Sequence, residues 1–389
     1  MKLGLALSGG GFRATAYHLG VLARLAREDL LEDVAQLSTV SGGSLCIGMV
    51  FAINEFRWPG SQEYLEKIVP QAHIHMTTYN LQLGLLRRLL RSPWRLFQTK
   101  ANDLSGLMRQ KWGVTASLRD LPTRPRWMIN ATCYETGKNW RFERFRMGDY
   151  VVGYTNDVDI PLSDALAASA GFPGLIGPLV LKTGGRSWYK YEQHPDTGLS
   201  AGEADTSPAR KTKPITPAFN QVHLWDGGVY DNQGLEALHD FNTGWREGID
   251  FLVISDGSGK PKPEAYRLGA QVFLRIITGV MMDQIRSLRA RAIFERIQNH
   301  GDKGVYLTIG NTCHEVIASV GREAELADLC QACLSDSDAE RAGNFPTVIR
   351  QLTPDEFELL SRHGYEVADY TLVAYYPDQF KHVPYGKTM

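Results

Sequence analysis

Twice within its first fifty residues the chain runs from a short apolar stretch through a glycine-rich turn into a helix, and this alternation limits the fold more than any other feature. "KLGLAL" is a strand-length run broken by Gly9, Gly10 and Gly11. From Ala14 to Arg27, apolar residues recur at Tyr17, Val21, Leu22 and Leu25, a helical spacing. "VAQLSTV" is a second strand candidate, and "GGSLCIGMVFAINEF" reads as a buried helix. Strand–helix–strand–helix at this spacing predicts an α/β fold, a parallel sheet with right-handed crossovers.

The rest of the chain extends that reading. Residues 126–146 predict two strands around a turn at Thr136 and Gly137. From Leu162 a small-residue helix is expected, stopped by Gly171 and Pro173. "QVHLW" and "FLVISD" read as strands, and residues 264–299 as a long helical pattern. The tail from Phe345 predicts a strand and one or two helices, with Thr353, Asp355 and Glu356 marking a helix start. Residues 57–125, rich in arginine, and the polar stretch 182–220 read as insertions, the first cap-like, in a single domain spanning 1–389.

Charge and cysteine usage narrow the classes. The 42 basic and 43 acidic residues nearly cancel, which speaks against a general nucleic-acid binder. Cys46, Cys133, Cys313, Cys330 and Cys333 are odd in number and sparse, so reduced thiols and a cytoplasmic location are expected. Cys313, His314, Cys330 and Cys333 are too irregularly spaced for a zinc site, and no metal or cofactor is expected. The N-terminal apolar run is too short for a signal peptide, and no run approaches the roughly 20 residues of a spanning helix. Membrane contact is therefore expected only at the surface, peripherally on the inner face. In residues 83–97, Leu86, Leu89, Leu90, Trp94 and Phe97 share one helical face and Arg87, Arg88, Arg91 and Arg95 another. That pattern fits a core-facing helix with a solvated basic side, or a contact with anionic membrane.

Three glycine-rich turns, each after a strand, carry the chemistry. In "LSGGGFRA" the amides of Gly9, Gly10 and Gly11 stand before a helix N-terminus, a setting for a phosphate or a developing oxyanion, and Arg13 adds positive charge. Gly9, Gly11 and Ala14 also fit a loose G-x-G-x-x-A dinucleotide fingerprint, with acidic residues about 20 positions on. In "STVSGGS", Ser41 best fits a G-x-S-x-G nucleophile elbow, with Gly43 as the second glycine and Thr39 in place of the first. A helix-capping serine is the plain alternative. In "WDGGVYDNQG", Asp226 ends a strand before two glycines and is placed to act as a base, to orient a histidine, or only to bond the turn amides. Asp231 and Asp256 also lie near strand ends, but neither precedes a double glycine.

Taken together, "GGGFR", Ser41 in "SGG" and Asp226 in "DGG" resemble the patatin-like phospholipase family, and the first block resembles cytosolic phospholipase A enzymes. "ALAASAGFPGLIGPL" and "HGYEVADY" extend the similarity along the chain. The resemblance implies a three-layer sandwich around a mainly parallel sheet, with a helical cap-like insertion. It implies a phospholipid or lysophospholipid acyl hydrolase working through an acyl-enzyme, with Ser41 as nucleophile, Asp226 as base, and an oxyanion hole at Gly9, Gly10 and Gly11 beside Arg13. Ser8 stands where many patatins have Asp, and Thr39 departs from the elbow. A Ser–Asp dyad leaves no role for histidine: His18 reads as a packed helix residue, and His223, three residues before Asp226 on a strand, points to the opposite face. Some bacterial patatin-like proteins resemble effectors switched on by a nucleotide, so a small-molecule activator, or a nucleotide-binding module on the first turn, is the alternative expectation.

Overall fold

Side chains alternate across a strand, so each strand of a buried sheet feeds two layers at once. The computed structural model describes residues 1–91, 101–173, 176–192, 211–260, 263, 265, 266, 268, 269, 272 and 275–386. Strand β1 (Leu3–Leu7) leads into α1 (Gly11–Ala26), and β2 (Val34–Val40) into α2 (Gly42–Ile53). Helices α3 (Val69–Thr78), α4 (Leu81–Arg91) and α5 (Ala101–Trp112) follow. Next come β3 (Arg126–Cys133), β4 (Lys138–Phe142), β5 (Met147–Asp149), β6 (Gly153–Thr155) and α6 (Leu162–Ser169). Strands β7 (Leu179–Lys182), β8 (Trp188–Tyr191), β9 (Thr212–Ile215) and β10 (Gln221–Asp226) precede a small hairpin, β11 (His239–Asp240) and β12 (Gly244–Trp245). Strand β13 (Phe251–Asp256) is followed by a π-helical turn, Ile276–Met281, that opens α7 (Met282–Asn299). Strand β14 (Gly304–Thr308) and helices α8 (Cys313–Ser319), α9 (Glu323–Ala332), α10 (Asp336–Gly343) and α11 (Pro354–Tyr375) complete the chain.

The fold is α/β. Strands β14, β13, β1, β2 and β3 form the parallel centre of the sheet, and from β3 outward the pairs are antiparallel. Leu3, Leu5 and Leu7 of β1 enter the larger core cluster with Phe251 and Val253 of β13, while Ala6, Leu252 and Ile254 enter a smaller one on the other face. Such two-sided burial explains why β1 reads as continuously apolar. Helix α1 is buried along its whole length and crosses α11 closely. Gly20 and Gly364 make that approach feasible, because a Cβ at either would run into the other helix's backbone.

One detail of register positions the site. Strand β3 pairs with β2 as far as Val40 opposite Asn130, and with β10 starting from Asp226 opposite Ala131. Strand β10 runs against β2's direction, so the two meet end to end along β3. The last residue of β10, Asp226, therefore stands beside the residue that follows β2, Ser41.

Several expectations change. Residues 345–353 contain no strand, and the tail forms one helix, α11, started by the Thr353 side chain accepting from the Glu356 amide. Strand β14 and helices α8 and α10 were not legible in the pattern. Cys313 and Cys330 are joined in a disulfide, contrary to an all-reduced set; α8 and α9 lie side by side there, which a separation of 17 residues does not reveal. This also commits two of the four sulfur and imidazole groups weighed for zinc, and among the described residues no group of three such ligands is arranged for a metal. Residues 92–100 and 193–210, which hold Pro93, Trp94, Arg95, Phe97 and the middle of the polar insertion, lie outside the described residues. No described helix is long and apolar enough to cross a membrane.

Candidate active site

Ser41 caps α2 with φ 48° and ψ −112°, a conformation that costs a non-glycine residue about 1–3 kcal/mol. The surroundings hold it there. Its amide donates to Ser169 Oγ at 3.0 Å, Ser169 Oγ bonds Ser44 Oγ at 2.8 Å, and Ser44 Oγ bonds Thr39 Oγ1 at 2.8 Å. Trp127 Nε1 donates to the same threonine oxygen at 2.9 Å. Thr39, the residue that departs from the elbow pattern, is thus the buried anchor of a hydroxyl network. Ser38 is tied to the Gly234 carbonyl, and Ser44 to this network, so Ser41 alone of the three serines faces the cavity.

Asp226 is buried and its carboxyl accepts from the Gly228 amide at 2.7 Å. Burial raises its pKa to about 7; the bond from Gly228 and the nearby Ser41 hydroxyl oppose that rise without cancelling it. The Ser41 hydroxyl thus lies within reach of the Asp226 carboxyl. His18 does not join them. Its Nε2 donates to the Ser8 carbonyl at 2.9 Å and its Nδ1 accepts from Ser255 Oγ at 2.7 Å, and burial lowers its pKa to about 4. His223 pairs with Glu135 at 2.5 Å on the opposite face of β10, as strand alternation requires.

The first glycine turn divides into occupied and open groups. The Gly9 amide donates to the Asn232 carbonyl, and the Phe12 amide to that of Val348. Arg13 turns away from Ser41: Nε donates to the Gly257 carbonyl at 3.0 Å, Nη1 to Phe345 at 2.6 Å, and Nη2 to Ser258. Gly9 and Arg13 therefore have bonded partners within the turn's surroundings, while Gly10 and Gly11 border the cavity. Gly10, at φ 144°, and Gly11, at φ 60°, adopt backbone that other residues rarely reach. Sequence reasoning missed Gly42. Its amide follows Ser41, the position where a nucleophile elbow supplies an oxyanion donor. A Cβ there would run into the Gly11 carbonyl, so the starts of α1 and α2 are in contact. Ser169 and Asn232 were missed as well, since their roles depend on neighbours far away in sequence.

The dinucleotide reading fails on topology. Its acidic residue belongs beyond the second strand, beside the cofactor ribose. Asp29, Glu32 and Asp33 instead precede β2, at the end of the sheet away from the glycines. The Val348 carbonyl also takes an α1 amide that a pyrophosphate would need.

These groups line a cavity of about 650 Å³. Leu45, Phe172, Ile176 and Ile349 give one part an apolar wall, while Lys260, Arg275 and Arg286 lie elsewhere around it. A family model described as patatin-like phospholipase matches residues 5–239.

The chain belongs to the patatin-like phospholipase family.

Two structures of human GIVD cytosolic phospholipase A2 are similar to this patatin-like chain in fold. One has a TM-score of 0.53; the other, in complex with the inhibitor methyl gamma-linolenyl fluorophosphonate and terbium chloride, has 0.52. Each is 14% identical and covers 95% of this chain, whereas this chain spans 58% of theirs. No curated protein matches the chain in sequence.

Proposed function

We propose that this protein is a serine lipid acyl hydrolase of phospholipase A or lysophospholipase type, acting through a Ser41–Asp226 dyad. The observation that carries the reading is the pairing itself: a serine on a strained helix-start elbow opposite a buried carboxyl whose pKa lies near 7. An ordinary aspartate, with a pKa near ~4, is a poor acceptor for an alcohol proton; this one is well matched to neutral pH.

The steps follow from the geometry. The Ser41 oxygen bonds to the ester carbonyl carbon as its proton passes to Asp226. The carbonyl electrons move onto oxygen, where the amides of Gly10, Gly11 and Gly42 stabilise the charge, each donor contributing about 3 kcal/mol. On collapse, the bond to the alcohol breaks and the leaving oxygen takes the proton from Asp226. Water then attacks the acyl-enzyme, giving a proton to Asp226, and release of the fatty acid returns that proton to Ser41. No histidine is required. The membership in the patatin-like family and the apolar wall of the cavity support an acyl chain as the bound group.

Mass spectrometry of products from a total lipid extract tests this. Wild-type protein is expected to release free fatty acids and lysolipids or glycerophospho-alcohols, and Ser41→Ala to release none above background. Equal release by both would overturn the assignment.

A further inference from the structure

Neither Gly9 nor Gly228 has a positive φ, so the backbone at these two positions does not itself demand glycine. What both leave is room. A Cβ on Gly9 would run into the side-chain oxygen Oδ1 of Asn232, and so would a Cβ on Gly228. Two separate turns, one before α1 and one after β10, thus make space for a single carboxamide. The Cβ position on Gly9 also lies 3.1 Å from Ser41 Cβ, and that on Gly228 lies 3.0 Å from Asp226 Oδ1. The Asn232 oxygen therefore stands beside both members of the pair.

Main-chain bonds and the neighbouring Asp231 hold Asn232 in place. Its carbonyl accepts from the Gly9 amide at 2.9 Å. The Asp231 carboxyl accepts from the amides of Gln233 at 3.2 Å and Glu236 at 3.0 Å and lies 3.5 Å from Arg289, which fixes the turn. The Asn232 side chain is not used in this way. Among the described residues neither polar atom of its carboxamide has a hydrogen-bond partner, although the residue is half-buried and lines the cavity with Ser41 and Asp226. An amide so placed is satisfied by water or by the reacting molecule.

The chemistry of deacylation selects water. A water attacking the acyl carbon uses a lone pair for the new bond and gives one proton to the base, and its other O–H needs an acceptor. An uncharged carboxamide oxygen meets that need, whereas a second carboxylate beside Asp226 would compete with it for the proton. We infer that Asn232 is a further catalytic residue: its Oδ1 accepts the second O–H of the hydrolytic water and holds that water between Asp226 and the acyl group on Ser41. The inference rests on the serine hydrolase reading. In the step, the water oxygen bonds to the acyl carbon, one proton passes to Asp226, and the other stays on the water oxygen, bonded to Asn232. On collapse the bond to Ser41 Oγ breaks, and that oxygen recovers the proton from Asp226, leaving the carboxylic acid.

The test uses the full chain with p-nitrophenyl butyrate in the presence of methanol. Water and methanol compete for one acyl-enzyme, giving butyric acid and methyl butyrate. Methanol has a single O–H, which goes to Asp226, so it has no proton to offer Asn232. In Asn232→Ala, and in Asn232→Leu as a second variant, the ratio of acid to methyl ester at fixed methanol is expected to fall at least about tenfold, the effect of losing one hydrogen bond. The ratio is read only from molecules that form the acyl-enzyme, so a loss of folded protein does not alter it. An unchanged ratio in either variant overturns the inference even if total turnover drops, because a purely structural role slows both branches alike. The hydrolase reading fails on a different result, equal yields of both products from wild type and Ser41→Ala.

Discussion

At the scale of single residues, the site depends on a carboxyl kept out of water. Asp226 titrates near 7 because burial penalises its charge. In the proposed reaction Asp226 must be ionised, so kcat/KM is expected to rise with pH and reach half its plateau near pH 7; a profile flat from pH 5 to 8 would contradict this. Stability has the opposite sign. Between about pH 4 and pH 7 the folded protein holds a proton on Asp226 that the unfolded chain has released, so this group's contribution falls as pH rises through that window. Asp226→Asn is therefore expected to abolish turnover while stabilising the fold at pH 8 by on the order of 2–4 kcal/mol, and by little at pH 4. Denaturant titrations at the two pH values check this. Ser41 and Asp226 were legible in the sequence because glycine turns flank both. The roles of Gly9 and Arg13 were not, because which amides and guanidinium groups remain open is decided by Asn232, Val348, Ser258 and Phe345, far along the chain.

At the scale of elements, the elbow joining β2 to α2 is held by side chains rather than by glycine alone. Thr39, Ser44, Ser169 and the Trp127 indole form one buried network under Ser41. Restoring a glycine with Thr39→Gly therefore does not improve the elbow. It removes the acceptor for Trp127 Nε1 and the partner of Ser44, leaving buried polar groups unpaired, and is expected to cost about 1–3 kcal/mol. Thermal unfolding measures this, and a stabilised variant would show that the network carries no weight. The first two strand–helix pairs were readable because their strands are buried on both faces and their helices begin at glycines. Strand β14 was not: it is a short edge strand with Tyr306 and Thr308 half-buried, so its apolar run never stands out.

At the scale of the molecule, three segments from distant parts of the chain converge at one end of the sheet's central strands. β1 and β2 deliver the glycines and Ser41, β10 arrives from the opposite direction with Asp226, and β13 supplies the loop that pins Arg13. Sequence reading found the parallel centre from its alternating pattern; the end-to-end meeting of β2 and β10 depends on strand pairing, which no local pattern encodes. The same assembly keeps His18 behind the glycine turn, neutral and bonded to Ser8 and Ser255, and so apart from the proposed dyad. The most direct test is peptide mapping after reaction with a fluorophosphonate probe, in wild type, His18→Ala and Asp226→Asn. The account predicts a single adduct on Ser41 in wild type and in His18→Ala, with labelling slowed at least a hundredfold in Asp226→Asn. An adduct on another residue, or loss of labelling in a folded His18→Ala protein, would contradict it.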